Sequence, residues 1–416
     1  MSYPAPILNL DFVNAKQLAH PTVAFSRASI GSYFDSSGIL RYARSGVPRF
    51  DHDPLTGVCK GLLVESSATN LDTYSDEFDN AVWTKSLCSV AADSSTAPDG
   101  TTSMDKIVES TDNGFHAVSR TFTIATGNGV VYSVFARKGE TSVLQINFNS
   151  GADVIYARFD LAAGTILVDA TCDGSGAIFS NYKAYIKDCG NGRYRCIIYA
   201  QTNATTSITV YNALYNGSSM YTGDGTSGLY LWGANLQKWV VYPSSYGKST
   251  TSAVVRAADV CSVDLTKLVG PGGEALWDGT EGTIVVDFTV GLQVSNVRAI
   301  SLHSGSSSNC IDIGILANGQ LVCRSTVNSY AESYLFHGVP VANTKYKIAF
   351  AFAVNNQASS CNGGAVVTDS SCGVPSVTTL EIGSLISALQ LNSTIRSLQL
   401  YNRRLADAYL PALSTI

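Results

Sequence analysis

Charge is scarce in this chain. Only 14% of its 416 residues are Asp, Glu, Lys or Arg, against 45% hydrophobic, so Ser, Thr, Asn and Gly must cover much of the surface. The net charge is −5 and the basic residues are dispersed, which leaves no basic stripe to neutralise consecutive phosphates. Nucleic acid is therefore not an expected partner. No apolar run reaches the roughly 18 residues that span a bilayer, and the opening MSYPAPILNLDFVNAK lacks the basic region and apolar core of a signal peptide. Neither membrane insertion nor Sec export is expected, and synthesis in a reducing cytoplasm follows. The ten cysteines, at 59, 88, 172, 189, 196, 261, 310, 323, 361 and 372, contain no C-x-x-C pair, so they are expected as small buried thiols rather than zinc or redox centres.

Catalytic signatures are missing as well. There is no G-x-S-x-G elbow, no H-E-x-x-H helix and no G-x-x-x-x-G-K-[ST] loop. The nearest acidic cluster, Glu274, Asp278 and Glu281, sits in the glycine-rich GPGGEALWDGTEG, which reads as a loop. An enzyme is not expected, although carboxylates from separate strands can converge without any sequence spacing to announce them. No heptad repeat specifies a coiled coil. No cofactor is expected. The acidic loops at 76–80 and 93–105 leave a structural calcium open, but no D-x-D-x-D-G loop is present. Asp51, His52 and Asp53 are adjacent along a strand-to-turn segment, where neighbours point to opposite sides, so a turn is expected rather than a metal site.

What is present is period-2 alternation. VVYSVFARKG, SVLQINFN, VIYARFDLAAGTIL, YRCIIYAQT and SITVYNALY are strand candidates separated by Gly, Asn or Asp clusters. In GLYLWGANLQK, Leu229 and Leu231 alternate with Tyr230 and Trp232, which places Trp232 in a core. Pro243, Gly247 and the polar run Lys248–Ser252 then break the pattern and mark a domain boundary. Beyond it, Ile284, Val286, Phe288 and Val290 are expected on one face, and Tyr346, Ile348, Phe350, Phe352 and Val354 on another. IDIGILANGQLVCR reads as a hairpin with Asn318-Gly319 in a type I′ turn. The expected fold is all-β: two antiparallel jelly-roll sandwiches in tandem, at 69–247 and 261–416, joined by a linker at 248–260. A segment at 1–68, with too little contiguous apolar sequence for its own core, is expected to lean on the rest of the chain or on a partner subunit.

Several words carry a family resemblance. SRAS, GIL, PRFDHDP and GLLVESSATNL in the first segment resemble the leader before sandwich modules of tailed-phage virion proteins, and PSSY followed by VRAADV resembles the end of such a module. NLDTYSDEFDNAVWTK and APDGTTSMDKIVES resemble the opening of carbohydrate-binding jelly rolls fused into phage appendages. GTIVVDF with TIRSLQLYNRRLADAYLPALSTI resembles a laminin-G-like, concanavalin-type jelly roll, in which Ala406 and Pro411 would shorten the last helix to a single turn. The resemblance implies a virion protein, such as a tail fibre or head fibre, that attaches through residues 1–68 to other virion proteins, forms a homotrimer and binds host-surface glycans. The alternatives are a non-binding decoration subunit and a depolymerase. The glutamate pair E-x-D-x-x-E of glycanases on this fold is absent.

Exposed aromatic rings are the residues that would stack on sugar. Trp239, Tyr242, Trp83, Tyr330 and Tyr334 are the candidates, each set against an ordinary packing or surface role. Asn309, Asp312 and His337 lie near predicted loops as ordinary surface residues.

Overall fold

The computed structural model describes residues 4–16, 18, 20–127, 129–238, 242–292 and 295–416. Strands dominate, and the only α-helix among the described residues is the single turn Leu410–Leu413, which lacks a side-chain cap and carries Pro411 in its first turn. All strand ladders are antiparallel.

The sandwich expected at 261–416 is built from both ends of the chain. One of its sheets runs Val367–Asp369, Asn356–Cys361, Lys345–Ala353, Gly282–Thr289, Ser393–Tyr401, Cys59–Val64 and Phe50–His52, with Leu8–Asp11 also paired to Ser393–Tyr401. The other runs Val23–Ser26, Val260–Asp264, Thr379–Ile382, Val297–His303, Cys310–Ile315, Leu321–Val327 and Tyr330–Phe336. Its core contains Ile284, Val286, Phe288 and Val290 as expected, together with Leu8, Leu10 and Leu62 from the first segment. Residues 1–68 are thus not a separate segment. Leu8 lies opposite Leu400, and the apolar residues that could not form a core alone complete this one.

The second sandwich is an insertion. Ala68–Asn70 pairs antiparallel with Val254–Arg256, so the chain leaves the host sandwich and returns to it side by side. Asn70 fastens this neck: its Nδ2 donates to the carbonyls of Ala234 and Gly247, and its Oδ1 accepts from the amides of Asp72 and Leu236. Between these points, Phe179–Asp188, Arg193–Thr202, Gly129–Lys138, Gly228–Lys238, Thr102–Glu109 and Cys88–Thr96 form one sheet. The other contains Thr165–Gly174, Asp153–Asp160, Val143–Asn149, Thr206–Tyr215, Ala117–Ile124 and Thr84–Ser86. A bulge at Gly233, with φ of +67°, adds one residue opposite Ser133–Phe135. Leu229, Leu231, Ala234 and Leu236 consequently face the main core, while Trp232 is fully buried on the opposite face of the sheet. There the hairpin of Gly31–Phe34 and Leu40–Ala43 covers it through Phe34 and Leu40, so the first segment joins both sandwiches.

Three sequence expectations need revision. The hairpin at Asn318-Gly319 is not type I′: only Gly319 has positive φ, the Gly319 amide bonds the Leu316 carbonyl at 2.9 Å, and Leu316 N–H bonds Gln320 O at 3.0 Å. A three-residue loop closed by a left-handed glycine replaces the two-residue turn, because the ladder stops at Ile315–Leu321. Val354 lies past the end of its strand and is exposed. Asp312 is a strand residue with no exposed surface, held by Arg298 at 2.9 Å and Arg324 at 2.6 Å.

The first segment is locked by buried charge. Arg27 reaches Asp259 at 3.1 Å, Arg49 reaches Asp259 and Glu65, and Arg256 lies 3.7 Å from Glu65 and 3.9 Å from Asp259. Ser245 donates to Glu65 through both its amide and its hydroxyl, and Arg27 Nη2 donates to the carbonyls of Ala43 and Arg44. These residues come from SRAS, PRFDHDP, GLLVESSATNL, PSSY and VRAADV, so the five words meet at one place. Burial opposes ionisation of Glu65, but Arg256, Arg49 and the Ser245 bonds outweigh it and hold its pKa at about 2.

Removing one partner strands the others in a low-dielectric site, so Arg49→Met should cost about 3–5 kcal/mol of stability, whereas Arg41→Met at an exposed ion pair should cost less than about 1 kcal/mol. Urea denaturation of the two variants measures the difference. Because the folded pKa of Glu65 lies below its ordinary 4.5, its contribution is present above that value and is lost as pH falls toward about 2. Thermal unfolding between those pH values should show a slope that Glu65→Gln flattens.

Candidate functional site

The hairpin covers one outer face of the inserted sandwich, and the opposite outer face is open. On Asp153–Asp160, Ile155, Ala157 and Phe159 enter the core, so Val154, Tyr156 and Arg158 stand on the open side. On Val143–Asn149, Leu144, Ile146 and Phe148 are core residues, and Gln145 and Asn147 belong to the outer side, where neighbouring side chains leave them 4% and 8% exposed. Register places Gln145 opposite Arg158 and Asn147 opposite Tyr156 on one side, and Asn147 opposite Tyr211 on the other. Phe115, Asp173 and Ser219 complete a shallow depression of about 260 Å³.

Arginine and amides form a fixed polar row in it. The guanidinium of Arg158 lies 4.1 Å from the centre of the Tyr215 ring and 5.0 Å from that of Tyr156. Its Nε donates to Gln145 Oε1 at 2.7 Å, Ser219 donates to the same oxygen at 2.9 Å, and Gln145 Nε2 donates to Asn147 Oδ1 at 3.0 Å. This chain of bonds fixes the amide orientations and leaves Asn147 Nδ2 and Arg158 Nη1 without partners among the described residues. Phe115 meets Tyr211 edge-on at 5.5 Å. The surface therefore offers half-buried rings, oriented donors and one carboxylate, Asp173, among the residues that line the depression.

The aromatic candidates from sequence do not share this face. Trp83 is 1% exposed, packs on Phe78 at 4.5 Å and donates its indole N–H to Tyr74 O, so neither ring face is free for a ligand. It closes the core at the edge of the sandwich. Tyr242 is half-buried in a different place, a cleft of about 920 Å³ between the two sandwiches, where it meets Tyr185 edge-on at 5.7 Å. Tyr330 and Tyr334 stand on the edge strand of the host sandwich. Tyr330 is 76% exposed, and Tyr334 stacks on the exposed Phe336 at 5.6 Å with an interplanar angle of 2°. Trp239 lies outside the described residues.

The acidic loops are wired internally. Asp76 pairs with Lys248, and Asp105 accepts from the amides of Phe78, Asp79 and Asp93. Burial raises the Asp105 pKa to about 6. No cluster of three metal-ligating side chains occurs among the described residues. Asp51 accepts from Phe34 N–H and pairs with Lys60, while Asp53 caps its own turn through Leu55 and Thr56. His337 donates to or accepts from Ser359 at 2.8 Å, and burial lowers its pKa to about 4.

Fold and site together define a class: an all-β protein of two antiparallel sandwiches, one inserted in the other, with a polar and aromatic open face. No family model and no curated relative matches the chain. Among solved structures, it is similar to the CBM40 module of the Ruminococcus gnavus IT-sialidase bound to α2,6 sialyllactose, at 16% identity and TM-score 0.28, covering 37% of this chain and 92% of that one. Domain 4 of AbnA, an arabinanase from Geobacillus stearothermophilus in complex with arabinotriose, matches at 12% identity and TM-score 0.31, covering 42% and 82%. Domains LG4-5 of the mouse laminin α1 chain match at 10% identity and TM-score 0.25, covering 72% and 94%.

The two settings of aromatic residues predict opposite responses. Trp83→Ala should lower stability by about 3–5 kcal/mol, as for a large side chain removed from a core. Tyr330→Ala should stay within about 0.5 kcal/mol of the parent. Chemical denaturation of both variants checks this.

Proposed function

We propose that the protein binds glycans on the open face of the inserted sandwich. The observation that carries the reading is the row of Tyr156, Arg158 and Tyr215 beside the bonded pair Gln145 and Asn147. A sugar ring presents C–H groups on its faces and hydroxyls around its rim. Half-buried tyrosine rings match the faces, and oriented amide and guanidinium groups match the rim. Ordering these groups before the ligand arrives lowers the entropic cost of binding it.

Binding without turnover is the form of the proposal that the face supports best. Most glycoside hydrolases use two carboxyl groups about 5–10 Å apart across the scissile bond, and Asp173 is the one carboxylate among the described residues that line the depression. The words shared with phage appendage proteins support placing this activity on a virion, as an adhesin for host-surface glycans. There, several copies on one particle would multiply a weak single-site affinity.

Tyr156→Ala and Arg158→Ala should each weaken binding of a cognate glycan by about 10-fold or more while leaving thermal stability near the parent, since both side chains stand outside the core. A glycan array with the purified chain, followed by calorimetry of the variants and assay of new reducing ends, decides the matter. Saturable binding lost in both variants without new reducing ends supports an adhesin. Binding unchanged in both variants would sink the open-face assignment, and release of oligosaccharide would make the protein a depolymerase.

A further inference from the structure

The cleft between the two sandwiches contains a buried cation without a carboxylate. Arg195 stands on the face of the inserted sandwich turned toward the host, opposite Lys187 on one neighbouring strand and Phe135 on the other. It is only 8% exposed. Its Nε donates to Ser133 Oγ at 3.1 Å, its Nη2 donates to Ser244 O at 2.9 Å, and its guanidinium lies 5.5 Å from the centre of the Phe135 ring. Nη1 has no hydrogen-bond partner among the described residues, and none of the ion pairs includes Arg195. The residues outside the described set contain no Asp or Glu, so no carboxylate pairs with it directly, and the field of the more distant Glu65 offsets its burial only in part.

This is unusual for a guanidinium so deeply placed, because a buried charge is normally paired. Of the other buried arginines of the region, Arg27, Arg49 and Arg256 share Asp259 and Glu65, while Arg193, also without an ion pair, directs its donors to the carbonyls of Gly190 and Ala97. Glu65 also lines the cleft, but Arg49 holds it at 2.7 Å. Asp51, in the same wall, is held by Lys60, and Asp53, also in the lining, accepts from Leu55 and Thr56 of its own turn. Two further cations line the space without a carboxylate partner: Lys187, whose ammonium lies 5.5 Å from the Phe34 ring centre, and Lys238, which bonds Thr123 O. Tyr185 and Tyr242 supply ring surface in the same wall, and Asn343 supplies an amide from the host side. The volume, about 920 Å³, is enough for an oligosaccharide.

We propose that this cleft is a second ligand site, distinct from the open face, which takes an acidic saccharide with its anionic group on Arg195 and a sugar ring against Tyr185 and Tyr242. The saccharide part of the proposal rests on the reading of the chain as a glycan binder, whereas the anion site stands on Arg195 itself. With Nε on Ser133 and Nη2 on Ser244, Nη1 is the donor left for an anionic oxygen, and within a protein such a charge-assisted bond is stronger than one between neutral groups.

The test uses the full chain with digalacturonate, a hyaluronan tetrasaccharide, neutral galactobiose and inorganic phosphate, followed by calorimetry and by amide shifts. At least one of the two acidic sugars should bind, more weakly as salt rises. Arg195→Gln and Lys187→Ala should lower that affinity by 10-fold or more and by a few-fold respectively, while Tyr156→Ala leaves it unchanged. Lys187 is half-buried and surface-placed, so its variant keeps the test open if Arg195→Gln fails to fold. Binding of neither acidic sugar would overturn the proposal, as would affinity that is unchanged in Lys187→Ala and lost in Tyr156→Ala. Galactobiose bound as tightly as digalacturonate would remove the role of charge. Phosphate that occupies the site with no added affinity from the sugars would assign the anion to free phosphate instead. Loss of neutral-glycan binding in Tyr156→Ala reports on the open face alone, so the two sites fail separately.

Discussion

The buried set of Arg27, Arg49, Arg256, Glu65 and Asp259 is the constraint on which the rest of the structure depends. Its members are up to 232 positions apart in the chain, and each is desolvated, so none is tolerable without the others. Together they fix where the first segment runs, where the inserted sandwich leaves and where the chain returns. The short polar words that look like family signatures are, on this account, the words that must meet. Arg27 also ties down the carbonyls of Ala43 and Arg44 at the end of the hairpin that covers Trp232. Charge-pairing and hydrophobic covering thus act on the same stretch of chain.

That arrangement gives the inserted sandwich two unlike outer faces. The one turned toward the host is shielded by the hairpin over Trp232 and, further along, borders the cleft that holds Arg195 and Tyr242. Among the described residues no element covers the other, so its side chains are free to be polar and aromatic. An outer face without a partner can be kept soluble by charges alone. Here it carries Gln145, Asn147, Tyr156 and Arg158, linked through hydrogen bonds and a cation–ring contact, instead.

Much of the local structure was legible. VVYSVFARK and VLQINFN are strands because their β-branched and aromatic residues alternate, and the faces read from that alternation for Ile284 to Val290 are the faces observed, whereas VIYARFDLAAGTIL, read as one strand candidate, is two, Asp153–Asp160 and Thr165–Gly174, joined by a turn at Gly164 with positive φ. The candidate site was legible only in fragments. Tyr156 and Arg158 lie two apart in VIYARFD, and Gln145 and Asn147 two apart in LQINFN, so each pair announces a shared face. That the two pairs are neighbours depends on register, which neither segment specifies alone. For Trp83, which follows an acidic loop, the sequence left both a sugar platform and a plug at the sandwich edge open, and its packing on Phe78 makes it the plug.

By itself, the sequence determined a low-charge, all-β chain with two cores, the strands of clearest alternation and the polar character of its surface. These follow from composition and from a two-residue period that depends on nothing beyond the segment. The tertiary structure alone decided that the first strands belong to the last sandwich, that one sandwich is inserted in the other, and which outward residues stand together. The physical reason is that strand pairing is made by backbone groups common to all residues. The pattern of a strand therefore states which side is buried but not against what, and Leu8 finds Leu400 only when the whole sheet is assembled.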